Sequence, residues 1–231
     1  MRLVMGGESL EGPLTGIGQY TYQLARHMLI APEIKELKFL NHGRLISPES
    51  LMSAESEEAD LKAHRAPQSK GTGQFLQWAR TLLAQNQAAV TVYERFMTLR
   101  ERRNLHHYGK LAVYHSTNYM LPDFPGRRVV SIPDLSTYRY PEFHPEARVH
   151  LVNGHIEQAV RHADHIITIS NVVKLEIMER FNVPDSRISV THLGADATFG
   201  TMEESVFRER SKALDLPYKG YFLFTSSIEP R

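Results

Sequence analysis

Gly16 and Gly18 bracket Ile17 where a glycine-containing loop gives way to a helical pattern. Glycine lets backbone approach a ligand closely and reach positive φ. The first turn of a helix offers unpaired N–H groups that suit phosphate or carboxylate. The chemistry on offer is therefore the cradling of an anion or a sugar between backbone groups. The alternative is a capped loop that only leads into a helix. The spacing fits neither a dinucleotide fingerprint nor a Walker loop, because no Gly-Lys-Ser/Thr follows. A second set of residues lies further along. "YHSTNYMLPDF" places His115, Ser116, Thr117 and Asn118 after a short apolar run, and "SIPDLSTYRYPEFHP" places Asp134 after the next. Asp134 could orient a hydroxyl or act as a base, or it could cap a turn. His115 could bind a substrate oxygen or be a hydrogen-bonded structural histidine. His144, before Pro145, reads as surface. The 12 histidines are scattered and the chain has no cysteine, so no metal site is expected. No Ser–His–Asp triad is readable from spacing.

These residues need elements to hold them. Residues 2–5 read as a strand, 6–16 as the loop, and 17–30 as a helix with Ile17, Tyr20, Leu24 and Met28 at helical spacing. Pro32 supports its stop. "IKELKFLN" is a second strand. Residues 42–73 break the rhythm and read as a surface excursion, followed by a helix over 74–85 and another over 88–104. From Leu111 short apolar runs recur: "LAVYHS", "RVVSIPD", "HIITIS", "ISVTHLG" and "YFLFTSS". Helical patterns over 150–163, 172–181 and 203–214 separate several of them, with Ser170 or Asn171 as cap for the second. Alternation of this kind predicts an α/β fold with a Rossmann-like parallel sheet flanked by helices. Ligands in such sheets gather at the carboxyl ends of strands, where both polar sets fall.

The totals exclude several classes. The chain has 231 residues, 42% of them hydrophobic, enough for one sizeable core. Its 27 basic and 26 acidic side chains leave a net charge of +1, which demands no nucleic acid. No run of 18 apolar residues suggests a spanning helix, and "MRLVMGGESL" is no secretion signal. A cytoplasmic protein is expected.

Taken together, "GPLTGIGQYTYQLARHM", "HSTNYMLP", "VVSIPDLSTYRYPEFHP", "ADHIITISNVVKLEI" and "FLFTSSIEPR" resemble the retaining glycosyltransferases of family 4, most closely the bacterial mannosyltransferase type that builds surface polysaccharides. The resemblance implies the GT-B fold, two Rossmann-like domains facing a cleft. The N-terminal domain handles the acceptor and the C-terminal one holds the nucleotide sugar. It implies residues 1–200 as the acceptor-side domain, and 201–231 as a linker helix with the first strand of a truncated donor domain. A nucleotide sugar, GDP-mannose or a UDP-sugar, is the implied donor, with no other cofactor and no metal. A glycan or lipid-linked sugar is the implied acceptor. By carry-over, Gly16 and Gly18 approach the donor phosphates; His115 and Asn118, by their place after the strand, form part of a cleft edge. Asp134 is the aspartate of the family's His-Asp pair, and Arg231 faces the phosphates as a guanidinium can. The sequence departs from the pattern at Pro133, which stands where the family has histidine and has no N–H to donate.

With only half a cleft, negligible transfer by these residues alone is expected. Two other readings stay open: a noncatalytic truncated relative that binds glycan or a partner, and an unrelated α/β enzyme. "ERFMTLRERRNLHHYGK" over 94–110 carries five Lys/Arg against two Glu with interleaved apolar residues. It reads as a helix packed on the sheet with a wet basic end, or as a peripheral contact with the inner face of an anionic membrane. An unpaired final strand, "YFLFTSS", would invite self-association.

Overall fold

The computed structural model describes residues 1–11, 14–52, 99–100, 102–195, 199–214 and 216–224. Seven strands form one sheet: β1 (Arg2–Gly6), β2 (Glu36–Asn41), β3 (Arg44–Ile46), β4 (Ala112–Ser116), β5 (Arg127–Ser131), β6 (His165–Thr168) and β7 (Ile188–Val190). Their spatial order is β3-β2-β1-β4-β5-β6-β7. Every pairing is parallel except β2 with β3. The helices are α1 (Gly16–Ile30), α2 (Ser136–Arg139), α3 (Glu146–His162), α4 (Asn171–Phe181) and α5 (Glu204–Arg210). The fold is a Rossmann-like α/β sheet flanked by helices, as the alternation of patterns predicts.

Side-chain alternation along the strands divides the core between two faces. Leu3 and Met5 of β1 join Leu37 and Phe39 of β2 and Ala25 of α1 on one side. Val4, Tyr114, Val130 and Ile166 meet Ile156, Ala159 and Val160 of α3 and Ile177 of α4 on the other. Each large side chain buried this fully contributes about 1.5–3 kcal/mol. Because β1 leads to β2 on one side while β4 to β7 follow on the other, the strand order reverses between β1 and β4. That is the place where open α/β sheets hold ligands.

Helix ends explain some boundaries. Ser170 Oγ accepts from Val173 N at 3.2 Å and starts α4, and Asn182 closes it in the left-handed region (φ 52°). Thr15 caps α1, which begins one residue earlier than its apolar stripe indicates.

Several expectations are corrected. Residues 42–46 are not excursion: His42 (φ 45°) and Gly43 (φ 68°) form a tight turn that returns the chain as β3, antiparallel to β2. α3 starts at Glu146, a turn before the apolar pattern begins, and α5 ends at Arg210 rather than 214. Residues 221–224 form no strand, and Phe222, Leu223 and Phe224 stand exposed. Residues 225–231 lie outside the described residues, as do 53–98 and 101, which hold the expected helix over 74–85 and most of that over 88–104. Of the basic stretch, 102–106 is helical. Its Leu105 and the nearby Tyr108 are buried in the core, while Arg102 pairs with Asp123 at 2.7 Å.

Candidate functional site

The parallel pairing brings the ends of β1, β4 and β5 side by side. Met5 lies opposite His115, and His115 opposite Val129. The glycine loop, the His115–Asn118 run and the Asp134 turn therefore leave the same edge of the sheet, across the strand-order reversal.

Gly16 and Gly18 turn out to differ. A Cβ on Gly18 would stand 2.6 Å from Ser9 O and 2.9 Å from Leu14 Cδ2. The short 3-10 turn Glu8–Leu10 packs against the helix there, so this glycine has a packing reason. Its N–H also points at Thr15 Oγ1, 3.4 Å away. Among the described residues, a Cβ on Gly16 would meet nothing within 4 Å. Gly16 is exposed and is the more open of the two glycines among the described residues.

The next turn of α1 fastens the loop to the sheet by buried polar contacts. Thr21 Oγ1 donates to Ile17 O at 2.8 Å, lies 2.7 Å from Thr117 Oγ1, and is reached by Ser9 Oγ at 2.9 Å. Tyr20 and Ser131 hydroxyls are 3.0 Å apart, and Ser131 Oγ is 2.9 Å from His115 Nε2. Helix, β4 and β5 are locked together through Tyr20, Ser131 and His115. Burial pushes the His115 imidazole down to about 4, so it is neutral at physiological pH.

Asn118 is half-buried, and its Oδ1 accepts from Ser116 Oγ at 3.3 Å. Tyr119 follows at φ 68°, a conformation that costs a bulky residue about 1–3 kcal/mol and is typical of functional loops. Asp134 is exposed, and its Oδ1 accepts from Ser136 N at 2.8 Å, which starts α2. Its turn-capping role is therefore real, and its second oxygen makes no described contact that would prevent another. Pro133 precedes it, half-buried. His144 is half-buried rather than superficial, with a sequestered Nε2 that has no partner among the described residues. Arg231 lies outside the described residues. Among the described residues no group of three His, Asp or Glu side chains is placed to hold a metal, and no helix is long and apolar enough to cross a membrane.

Sequence reasoning named His115, Thr117 and the glycines but missed Tyr20, Thr21 and Ser131 as their fasteners. Thr21 and Thr117 are 96 residues apart, and Tyr20 and Ser131 are 111 apart. The signal available was local: a Tyr-Thr pair on the inner face of a helix that otherwise buries Ala25. Two concavities lie elsewhere. One of about 440 Å³ sits between α2 and α4, lined by Tyr138, Arg139, Glu176 and Arg180. The other, about 570 Å³, lies at the opposite end of the sheet beside Arg2, Lys35, Glu36 and Leu111. Arg139 pairs with Glu176 at 2.9 Å, and Arg180 stacks 4.5 Å over the Tyr138 ring, so the charges of the first already satisfy one another. The polar groups at the carboxyl edge are the better candidate.

No family model matches the chain. Over all 231 residues it is 28% identical to O-antigen chain mannosyltransferase B of Escherichia coli, covering 100% of this chain and 57% of that protein. The chain thus spans a little over half the length of that relative, and its similarity to it runs from the first strand to the final residue.

Proposed function

We propose that the chain is the acceptor-side half of a retaining glycosyltransferase of family 4 that transfers a sugar, mannose from GDP-mannose in the first instance, to a glycan or lipid-linked acceptor in surface-polysaccharide synthesis. The observation that carries this reading is the end-to-end similarity to a mannosyltransferase combined with a Rossmann-like sheet whose polar residues collect at the strand-order reversal. In this reading residues 1–200 form the acceptor lobe, and 201–231 lead into a donor-binding lobe that faces it.

The geometry of the described residues is consistent with the following roles. Gly16, free of close neighbours among the described residues, leaves room for a diphosphate near the start of α1, where the helix dipole favours negative charge. Asp134 has an exposed carboxylate that orients the acceptor hydroxyl. His115 is neutral and tied to Ser131, so it positions the loop rather than moving a proton. Arg231, outside the described residues, is assigned to the leaving diphosphate by the resemblance alone. A single lobe cannot orient two reactants or exclude water, and orientation is worth up to about 7–11 kcal/mol. The chain alone is accordingly inactive. Pro133 favours a second reading, a glycan-binding module without catalysis, because the histidine the resemblance leads one to expect is missing.

The test is a labelled-transfer assay with GDP-[14C]mannose and a lipid-linked acceptor extract. The chain alone should give no product. The chain fused to the C-terminal remainder of the E. coli relative should give labelled glycan with the donor's anomeric configuration. Turnover by the chain alone would overturn the half-enzyme reading. No turnover by the fusion, with glycan still bound, would favour the module.

A further inference from the structure

Three polar side chains from α1, β5 and β4 meet in series. The Tyr20 hydroxyl lies 3.0 Å from Ser131 Oγ, and Ser131 Oγ lies 2.9 Å from His115 Nε2. Tyr20 is half-buried, while Ser131 and His115 are 2% and 4% exposed. Burial pushes the His115 pKa down to about 4, so the ring is neutral and carries a single N–H. Which nitrogen holds that proton is decided by the hydrogen bond the other one makes. Nε2 is engaged here, so the place of the proton follows from the direction in which the series donates.

Each of the three groups has one proton to give. If Ser131 Oγ accepted from both neighbours, its own hydrogen would be left without an acceptor in a buried place, which is costly. A phenol is a better donor and a poorer acceptor than an aliphatic hydroxyl, and the bare nitrogen of a neutral imidazole accepts more strongly than either oxygen. The favoured direction is therefore Tyr20 O–H to Ser131 Oγ, then Ser131 O–H to His115 Nε2, each bond polarising the next. The ring N–H is then on Nδ1.

Three side-chain atoms among the described residues are both sealed and unpartnered: Asn41 Oδ1, His144 Nε2 and Thr168 Oγ1. His115 Nδ1 is not one of them. It makes no hydrogen bond to a described residue, so it keeps a narrow opening within the small part of His115 that stays exposed. His115 is the next-to-last residue of β4, at the carboxyl end of the sheet. Tyr20 stands one turn after Gly16 on the same helix. An N–H serves an oxygen that can only accept, as the oxygens of a diphosphate do, whereas a bare ring nitrogen repels it. We propose that Tyr20 is a positioning residue: through Ser131 it fixes His115 as the Nδ1–H tautomer, and so gives the carboxyl edge an N–H donor for a diphosphate oxygen, directly or through one water. In assigning that oxygen to the nucleotide sugar, the inference rests on the glycosyltransferase reading. The relay itself does not.

The experiment is a two-bond 1H–15N correlation spectrum of the 15N-histidine-labelled chain at about pH 7.5, where the ring is neutral, with His115→Gln identifying the His115 signals by their loss. Nδ1 should be protonated and Nε2 bare. Tyr20→Phe removes only the phenol oxygen and frees Ser131 to accept from an Nε2–H. The ratio of Nδ1–H to Nε2–H should then fall roughly three- to tenfold. A proton on Nε2 in the wild type, or an unaltered ratio in a folded Tyr20→Phe chain, overturns the relay. Should that variant unfold, the wild-type spectrum decides by itself. In the fusion enzyme, Tyr20→Phe should raise the KM for the nucleotide sugar by a similar factor and leave the acceptor KM in place. An unchanged donor KM beside a moved tautomer, or a rise in the acceptor KM instead, overturns the assignment to the nucleotide sugar. No transfer by the wild-type fusion, with the Nδ1–H tautomer observed, sinks the enzyme reading and leaves the relay standing. Transfer by a fusion whose His115 carries its proton on Nε2 does the reverse.

Discussion

The two ends of the sheet are built on different chemistry. At the carboxyl end the last residues of β2, β1, β4, β5 and β6 are Asn41, Gly6, Ser116, Ser131 and Thr168, a row of small or polar groups across five neighbouring strands. All five are buried, and two of them, Asn41 and Thr168, carry oxygens without partners among the described residues. At the amino end the strands begin with Arg2, Glu36, Ala112, Arg127 and His165. There the arginines have acceptors: Arg2 Nη2 donates to the Tyr108 carbonyl at 2.6 Å, and Arg127 Nη1 to Asp164 Oδ1 at 2.8 Å. Burying polar atoms costs free energy unless they are satisfied. One end thus spends stability on groups that could serve a ligand, and the other settles its charges at the surface. Of the two concavities described above, the larger lies at the amino end, so hollow volume and unmet polar groups point to different edges.

The strongest test of this contrast is a glycine at the amino end. A Cβ on Gly126 would stand 2.1 Å from Ala112 O and 2.8 Å from Phe124 Cε1. Backbone cannot give way there without separating β4 from β5. Gly126→Ala should cost at least about 3 kcal/mol, read as a lowered urea midpoint or as failure to fold. At the carboxyl end the largest stability effect should come from His115. Its imidazole falls from about 6.5 unfolded to about 4 folded, because burial penalises the cation. For a base depressed in this way, stability is full above the unfolded value and is lost as pH falls from 6.5 towards 4. The displacement corresponds to roughly 3 kcal/mol. Urea titrations across that window should show this loss, and His115→Gln should flatten it.

How much of this could be read from the chain depends on whether a feature is local. α1 and α4 are legible because an apolar stripe recurs at helical spacing and Thr15 or Ser170 caps it. The strand ends at His115 and Asp134 are legible because short apolar runs stop in polar residues. β3 was hidden by its length, three residues, although Asn41-His42-Gly43-Arg44 carries a turn signal. The "YFLF" run has strand composition, yet β propensity expresses packing against neighbours, and residues 221–224 have none in the sheet. The fasteners Tyr20–Ser131 and Thr21–Thr117 depend on how α1 lands on β4 and β5, which no single-chain pattern specifies. The unequal status of Gly16 and Gly18 is likewise tertiary, since only the 3-10 turn at Glu8–Leu10 separates a packed glycine from an open one.

That inequality sharpens the comparison through function instead of stability. In the fusion enzyme, Asp134→Asn should lower transfer about 10²-fold while leaving the thermal midpoint alone, because an asparagine oxygen can still accept from Ser136 N. Loss of folding instead would reduce Asp134 to its turn. Gly16→Ala should be neutral or stabilising by about 0.4–1 kcal/mol, since its Cβ meets nothing among the described residues. The same methyl should raise the KM for the nucleotide sugar about tenfold if phosphate passes over that backbone. An unchanged KM would remove Gly16 from the donor's path.

The smallest effect belongs to the amino end. Arg127 is three-quarters exposed, and its partner Asp164 also accepts from Arg128 N at 2.8 Å. Burial works against the Asp164 carboxylate, yet that backbone bond and the two arginines hold it below its usual range. Removing Arg127 leaves the backbone contact in place, and an exposed ion pair contributes only about 0–1 kcal/mol. Arg127→Ala should therefore shift the urea midpoint by far less than Gly126→Ala or acidification past His115, and the shift should shrink further in high salt, where surface charges are screened. A loss of several kcal/mol would mean that the amino-end charges hold the sheet together, and the division of labour between its two edges would no longer stand.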